Sequence, residues 1–274
     1  MIVISGASGR LGGRVARLIG GRPRLIVRDP SRAPRVDGAE VAVAEFGDGD
    51  AVRRALAGAD VVLMVSAAET PDRVARHRTF VDAAVAAGVG HLVYTSFVGA
   101  APDAVFTLAR DHWATEEHIR AGGLPFTILR DNLYADFLPM MAGEDGVIRG
   151  PAGDGRAALV AQDDIADAAV AVLRAPGAHA GRTYDLTGPE AVSLTEAAAT
   201  ITEVTGRAVR FQPETVEEAY ASRASYGAPG WQVDAWVSTY TSIASGELAT
   251  VCDDVERLTG HRAVSLRDLL ARGL

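Results

Sequence analysis

The chain has no lysine: all 27 of its basic residues are arginine. Lysine chemistry is therefore excluded, because an arginine holds its charge and cannot serve as a tunable amine. Cysteine is almost missing as well. Cys252 stands alone, so neither an internal disulfide nor a cysteine-built zinc site can form. No apolar run approaches the ~18 residues that suggest a membrane span. The N-terminus enters the strand-like Ile2-Val3-Ile4 without a signal-type core, and a cytoplasmic protein is expected. Positive charge is in deficit too, with a net charge of −8, which argues against a nucleic-acid surface. The six histidines show no metal-ligand spacing, so no metal is expected.

What is present is an alternation. Strand-like segments at 2–5, 24–27, 40–44, 60–65, 91–95 and 126–129 are separated by helix-like stretches at 11–20, 50–57, 72–87 and 109–121. The strands are nearly continuous apolar runs, as in Val61-Val62-Leu63-Met64-Val65, the mark of strands buried on both faces. This pattern predicts an α/β fold, a Rossmann-type doubly wound parallel sheet. After Asn132 the alternation breaks down. Residues 143–156 hold five glycines and read as turns. Helices are expected at 163–174, 194–205, 215–225 and 252–259, with short strands near 183–187 and 208–211. The division expected is a dinucleotide-binding domain over 1–132 and a small mixed α/β C-terminal lobe over 133–274 that binds substrate, part of it returning to the sheet.

Gly6-Ala7-Ser8-Gly9-Arg10-Leu11-Gly12 follows the first strand and opens the first helix. Glycines there let backbone approach a pyrophosphate, and the helix N-terminus favours the phosphate charge. Gly6, Ser8, Gly9, Arg10, Leu11 and Gly12 are thus candidate dinucleotide residues. The second strand ends in Arg28 rather than an acid. A planar guanidinium suits a 2′-phosphate, which favours NADP(H), while the following Asp29 leaves NAD(H) open. Glu45 and Phe46, ending the third strand, would frame an adenine, and Asp48 would cap the next helix. Val65, Ser66, Ala67 and Thr95, at the ends of strands four and five, complete the cofactor set.

Further motifs stand beside the glycine loop: Val27-Arg28-Asp29-Pro30, Tyr94-Thr95-Ser96, Ala114-Thr115-Glu116-Glu117, the run from Thr127 to Tyr134, and Gly153-Asp154-Gly155-Arg156. Together they resemble the NmrA-like atypical short-chain dehydrogenases, and among these the bacterial NAD(P)H:quinone oxidoreductase 2 type. The resemblance runs over residues 1 to 272 or so. It implies a Rossmann domain with a small C-terminal lobe, a cleft for nicotinamide and substrate, and hydride transfer from NAD(P)H to a quinone or polycyclic aromatic. It also implies alternatives: a tailoring step on a polyketide-derived quinone, or a regulator that senses NAD(P) without turnover.

Ordinary short-chain dehydrogenases pair a tyrosine and a lysine with a serine. By the resemblance, Leu108 stands at the tyrosine position, His112 at the lysine position, and Ser96 at the serine position. Ser96 and His112 are therefore the catalytic candidates. Quinone reduction tolerates the loss of the tyrosine, since a hydroquinone anion, with a pKa of roughly 10, can be protonated by water. Phe97, Asn132 and Tyr134 lie where open α/β sheets place ligand groups, and with Trp231 they are the candidate substrate contacts. Trp231 belongs to an aromatic group with Tyr226 and Trp236 that suits a flat ligand or a helix core equally. The partners expected are a small aromatic or quinone, neither nucleic acid nor membrane, and a homo-oligomer is compatible with this.

Overall fold

The computed structural model describes residues 1–273. Strands β1 (Ile2–Ile4), β2 (Arg24–Val27), β3 (Glu40–Val43), β4 (Val61–Met64), β5 (His91–Phe97) and β6 (Phe126–Asp131) alternate with α1 (Arg10–Leu18), α2 (Gly49–Leu56), α3 (Arg73–Ala86) and α4 (Thr107–Ala121). Farther on come β7 (Val147–Gly150), β8 (Arg156–Ala157), β9 (Arg182–Leu186), β10 (Val192–Ser193) and β11 (Arg210–Pro213). Seven strands form one sheet in the order β3-β2-β1-β4-β5-β6-β9. The pairs β1–β2, β1–β4, β2–β3 and β4–β5 are parallel, as a Rossmann sheet requires. Strand order reverses between β1 and β4, which places the crevice of an open α/β sheet at the loops that follow these two strands.

Burial accounts for the near-continuous apolar runs. All four residues of β4 and all seven of β5 are buried. Val52 and Leu56 of α2, Phe80, Val81 and Ala84 of α3 and Ile119 of α4 pack with Val3, Ile26, Val62, Met64, Leu92 and Tyr94 in one core. Asp48 accepts from Ala51 N–H at 2.9 Å and caps α2.

Two compact units divide the chain, and neither is continuous. The first takes Met1–Phe97, Asp111–Arg130 and Ile165–Tyr184; the second takes Val98–Arg110, Asp131–Asp164 and the residues from Asp185 onward. Within the second unit β7 runs parallel to β11, and β8 antiparallel to β10. The glycine-rich stretch 143–156, expected as turns, therefore carries one strand and reaches another. Its glycines answer to packing. A Cβ on Gly150 would overlap the Tyr240 ring, and one on Gly155 the Ile243 carbonyl. Both partners lie on the helix Gly230–Ala244, which no periodicity in the sequence announced. Among the described residues no helix is long and apolar enough to cross a membrane.

Candidate functional site

A cavity of about 240 Å³ opens in the first unit beside the ends of β1 to β4. Gly6, Ser8 and Gly9 form one side, Arg28, Glu45 and Phe46 another, and Val65, Ser66 and Ala67 a third. Nine of the sequence-derived residues are thus brought to one place. Four others of that set are not on the lining. Leu11 and Gly12 are buried beneath the loop, Arg10 is exposed on α1, and Thr95 is buried.

The glycine loop fits a pyrophosphate. Gly6 has φ of 62°, a left-handed conformation that suits glycine. A Cβ on Gly12 would sit inside contact distance of the Gly6 carbonyl, so the helix can start this close to the loop only without a side chain there. Gly9 occupies the N-cap of α1 and supplies no capping side chain, which leaves that helix end suited to an anionic cap.

Arg28 is exposed on the cavity rim. Asp29 is not on the cavity lining; its carboxylate accepts from Ser31 N–H at 2.9 Å and Ser31 Oγ at 2.7 Å. Those bonds close a short 3₁₀ turn over Pro30–Arg32 and bring Arg32 onto the same rim. Sequence reasoning missed Arg32, although the Asp-Pro-Ser-Arg turn was the signal for it. It also missed Arg76, which pairs with Glu45 at 2.7 Å and with Asp72 at 2.8 Å. Glu45 is thus engaged by a cation. Phe46 stacks on Phe80 with ring centroids 4.5 Å apart.

The third side is held from behind. Val65 N–H donates to Ser5 Oγ at 3.1 Å, Ser66 N–H to Thr95 Oγ1 at 2.9 Å, and Ala67 N–H to His77 Nε2 at 2.8 Å. Thr95 therefore acts on the cavity through the backbone of its wall. Accepting from an amide fixes the His77 tautomer, with its proton on Nδ1 toward Thr115 Oγ1 at 2.9 Å. Burial first, and the Arg73 charge second, push the His77 pKa down to about 3.

The two catalytic candidates lie inside the same unit with their polar atoms engaged. Ser96 is buried and donates to Glu116 Oε1 at 2.6 Å. Glu116 is itself fully buried and receives Arg130 at 2.8 and 2.7 Å and Arg120 at 2.9 Å. Burial opposes its charge, but these bonds from Arg130 and Ser96 hold its carboxyl below the usual range. His112 is buried between Arg73 and Tyr94. Burial, then the neighbouring Arg73 charge, keeps its imidazole neutral well below the ordinary pKa. Neither residue presents a free proton donor.

The substrate-side candidates fall in different units. Phe97 ends β5 in the first, its ring 6.2 Å from that of His112. Asn132, Tyr134 and Trp231 belong to the second. Asn132 is fully buried; its amide donates to the Leu248 carbonyl at 3.0 Å and accepts from Leu133 N–H at 2.7 Å. Tyr134 is half-buried and donates to Asp131 Oδ2 at 3.0 Å. The second unit has a cavity of its own, about 390 Å³, lined by Met141, Arg223, Tyr226, Trp236, Thr239 and Tyr240. Tyr226 and Trp236 meet edge to face at 5.9 Å there, and Trp231 is not on its lining. Among the described residues no group of three or more His, Cys, Asp or Glu is placed to hold a metal ion.

Residues 6–176 match the family model described as NAD(P)H-binding. The chain is 32% identical over 278 residues to quinone oxidoreductase 2 of Escherichia coli, covering 98% of this chain and 96% of that protein. The structure of that enzyme complexed with NADPH superposes with a TM-score of 0.89 over 99% of both chains. A (4-alkanoyl-5-oxo-2,5-dihydrofuran-3-yl)methyl phosphate reductase of Streptomyces griseus is 37% identical, over 98% of this chain and 96% of its own. The triphenylmethane reductase of Citrobacter sp., solved with NADP(H), is 30% identical with a TM-score of 0.89 over all of both chains.

Proposed function

The chain belongs to the NAD(P)H-binding family, and on that premise we propose that it is an NADPH-dependent reductase of quinones or other polycyclic aromatics. The cavity of the first unit carries the reading: a glycine loop at an uncapped helix start, with two exposed arginines on the same rim. Relatives named quinone oxidoreductase and triphenylmethane reductase support this acceptor class.

When bound, the dihydronicotinamide supplies the hydride. The residues of the chain do the remainder. Gly6, Ser8 and Gly9 cradle the pyrophosphate, Arg28 and Arg32 receive the 2′-phosphate, and Phe46 borders the adenine. Ser96 and His112 hold no proton for the acceptor, because Glu116 and Arg73 fix them internally. That arrangement suits an acceptor whose reduced form is a stabilised anion of pKa roughly 10, which solvent can protonate. An alkoxide from a simple ketone would need an acid. The same internal engagement favours a second reading, in which the protein senses NAD(P) and transfers no hydride.

Following NADPH absorbance with a panel of benzo-, naphtho- and anthraquinones separates the two. Catalytic consumption is expected; tight binding without turnover across the panel would establish the sensing role instead. Calorimetry addresses the arginine rim. Arg28→Ala should weaken NADPH by about 1.5–3 kcal/mol, the scale of a charge-assisted hydrogen bond, and leave NADH nearly unchanged. Equal losses for both cofactors would remove Arg28 from the 2′-phosphate.

A further inference from the structure

Ala67, in the cleft wall, is held at both polar atoms of its backbone by side chains of one helix. Its N–H donates to His77, and its carbonyl accepts from Arg73 Nε at 3.0 Å. Arg73 is 4% exposed, and such burial of a guanidinium requires partners that define its plane. One terminal nitrogen, Nη2, donates to His112 Nε2 at 3.0 Å. The other, Nη1, lies 3.5 Å from the Asp111 carboxylate, without a hydrogen bond of its own. Asp111 is the more exposed of the two partners, so the short buried contact to His112 is what sets the orientation.

Donor and acceptor chemistry fixes the rest. Arginine only donates, so His112 Nε2 must be unprotonated and accept. The ring proton then sits on Nδ1 and donates to Tyr94 Oη at 2.9 Å. His112 is locked at both ends, with an acceptor aimed at Arg73. Without that acceptor the guanidinium is left with the Asp111 carboxylate 3.5 Å from Nη1, and a turn toward it would draw Nε from the Ala67 carbonyl. We propose that His112 is a positioning residue for the dinucleotide: it holds Arg73 on the Ala67 carbonyl and thereby fixes the Val65–Ala67 wall of the cleft. A lysine at position 112, the residue that ordinary short-chain dehydrogenases carry there by the resemblance, would set a second cation against Arg73 and undo the wall.

The proposal rests on the cleft being the dinucleotide site, and titrating the natural protein with NADPH tests that reading alone. Three variants then test the positioning: His112→Gln, which keeps an acceptor, His112→Lys, which offers only donors, and Arg73→Met, which removes the guanidinium. Glutamine should stay within about threefold of the natural NADPH affinity. Methionine should lose about tenfold and lysine about 30-fold, on the scale of one or more buried hydrogen bonds. The loss should fall on the KM for NADPH, with kcat at saturation far less affected. In ¹⁵N-labelled protein, scalar coupling across the Ala67 N–H···Nε2 His77 hydrogen bond should persist in the glutamine variant and vanish in the other two. Natural affinity in the lysine or methionine variant overturns the proposal. So does a loss confined to kcat, which would make His112 a proton-transfer group. If the lysine variant does not fold, the glutamine and methionine pair decides on the same criteria.

Discussion

The glycine loop and the polar layer behind the Val65–Ala67 wall bound the same cleft from opposite materials. The loop is shaped by omitted side chains: Gly6 takes a left-handed turn, and Gly12 lets α1 begin against the Gly6 carbonyl. The layer is shaped by side chains that satisfy one another: Ser5, Thr95, His77 and Arg73 hold four backbone groups of the wall. The omission at Gly12 acts on Gly6, within seven residues of sequence. The layer joins partners as far apart as Ser5 and Val65. The contrast teaches that residue types which look reactive in a sequence can be fully committed to holding backbone.

The contrast is broken most sharply at Gly12. A Cβ there meets backbone, and no flexible side chain can move aside. Gly12→Ala should cost about 3 kcal/mol, the upper part of the overpacking range, and dinucleotide affinity should fall with it. Gly177→Ala is the control, because a Cβ at Gly177 has nothing within 4 Å and its φ is not positive. Urea unfolding of the two variants should differ clearly; equal midpoints would mean that the loop yields to a side chain.

Acid probes the polar layer next. His77, with its pKa near 3, and His112 stay neutral in the fold, while in the unfolded chain each takes a proton below about pH 6.5. The unfolded state therefore binds more protons as pH falls, and the fold loses stability from about pH 6.5 downward. The slope is at most roughly 1.4 kcal/mol per pH unit for each histidine. Glu116 acts lower. Its carboxyl is held below the usual range, so its contribution stays whole above the ordinary glutamate pKa of about 4.3 and fades beneath it. Denaturant midpoints from pH 7.5 to 5 measure the histidine window, and His77→Gln should flatten it. A flat profile in the natural protein would contradict the neutral, locked rings.

How much of this was legible follows the same division. The order of strands and helices through β6 could be read, because strands buried on both faces write continuous apolar runs. The cleft residues Gly6, Ser8, Gly9, Arg28, Glu45 and Phe46 could be read from strand ends and a local glycine spacing. Ser96 and His112 could be found but their use could not. A hydroxyl and an imidazole look alike in sequence whether they face a ligand or, as here, Glu116 and Arg73. Asn132 is a similar case, its amide consumed by Leu248 and Leu133. The helix Gly230–Ala244 escaped because Gly, Ser, Thr and aromatic residues mask its period. What it packs against, Gly150 and Gly155, is written about 90 residues earlier, and such long-range pairing leaves no local trace.

The smallest effect expected comes from a residue of the second unit that opposes the histidines. Asp131 is 1% exposed; its Oδ2 accepts from Tyr134, and its Oδ1 has no partner. Among the described residues no arginine or histidine forms an ion pair with it. Burial raises its carboxyl well above the ordinary range, and the Tyr134 hydrogen bond only partly offsets this. Above about pH 4 the unfolded chain ionises this group while the fold keeps it protonated, so here stability falls as pH rises. Its sign is opposite to that of His77 and His112 over the same window. Asparagine keeps the shape and an oxygen for Tyr134, and replaces one unpartnered polar group by another without a charge to give up. Asp131→Asn should therefore stabilise the fold near neutral pH by about 1 kcal/mol, a modest share of the mismatch once burial of the amide is counted. It should also steepen the acid limb set by the histidines, because the opposing slope is gone. The comparison needs only two denaturant series, natural and variant, across pH 5 to 8. Curves that run parallel would mean that Asp131 ionises alike in both states, and its burial would then have to be relieved by solvent reaching Oδ1.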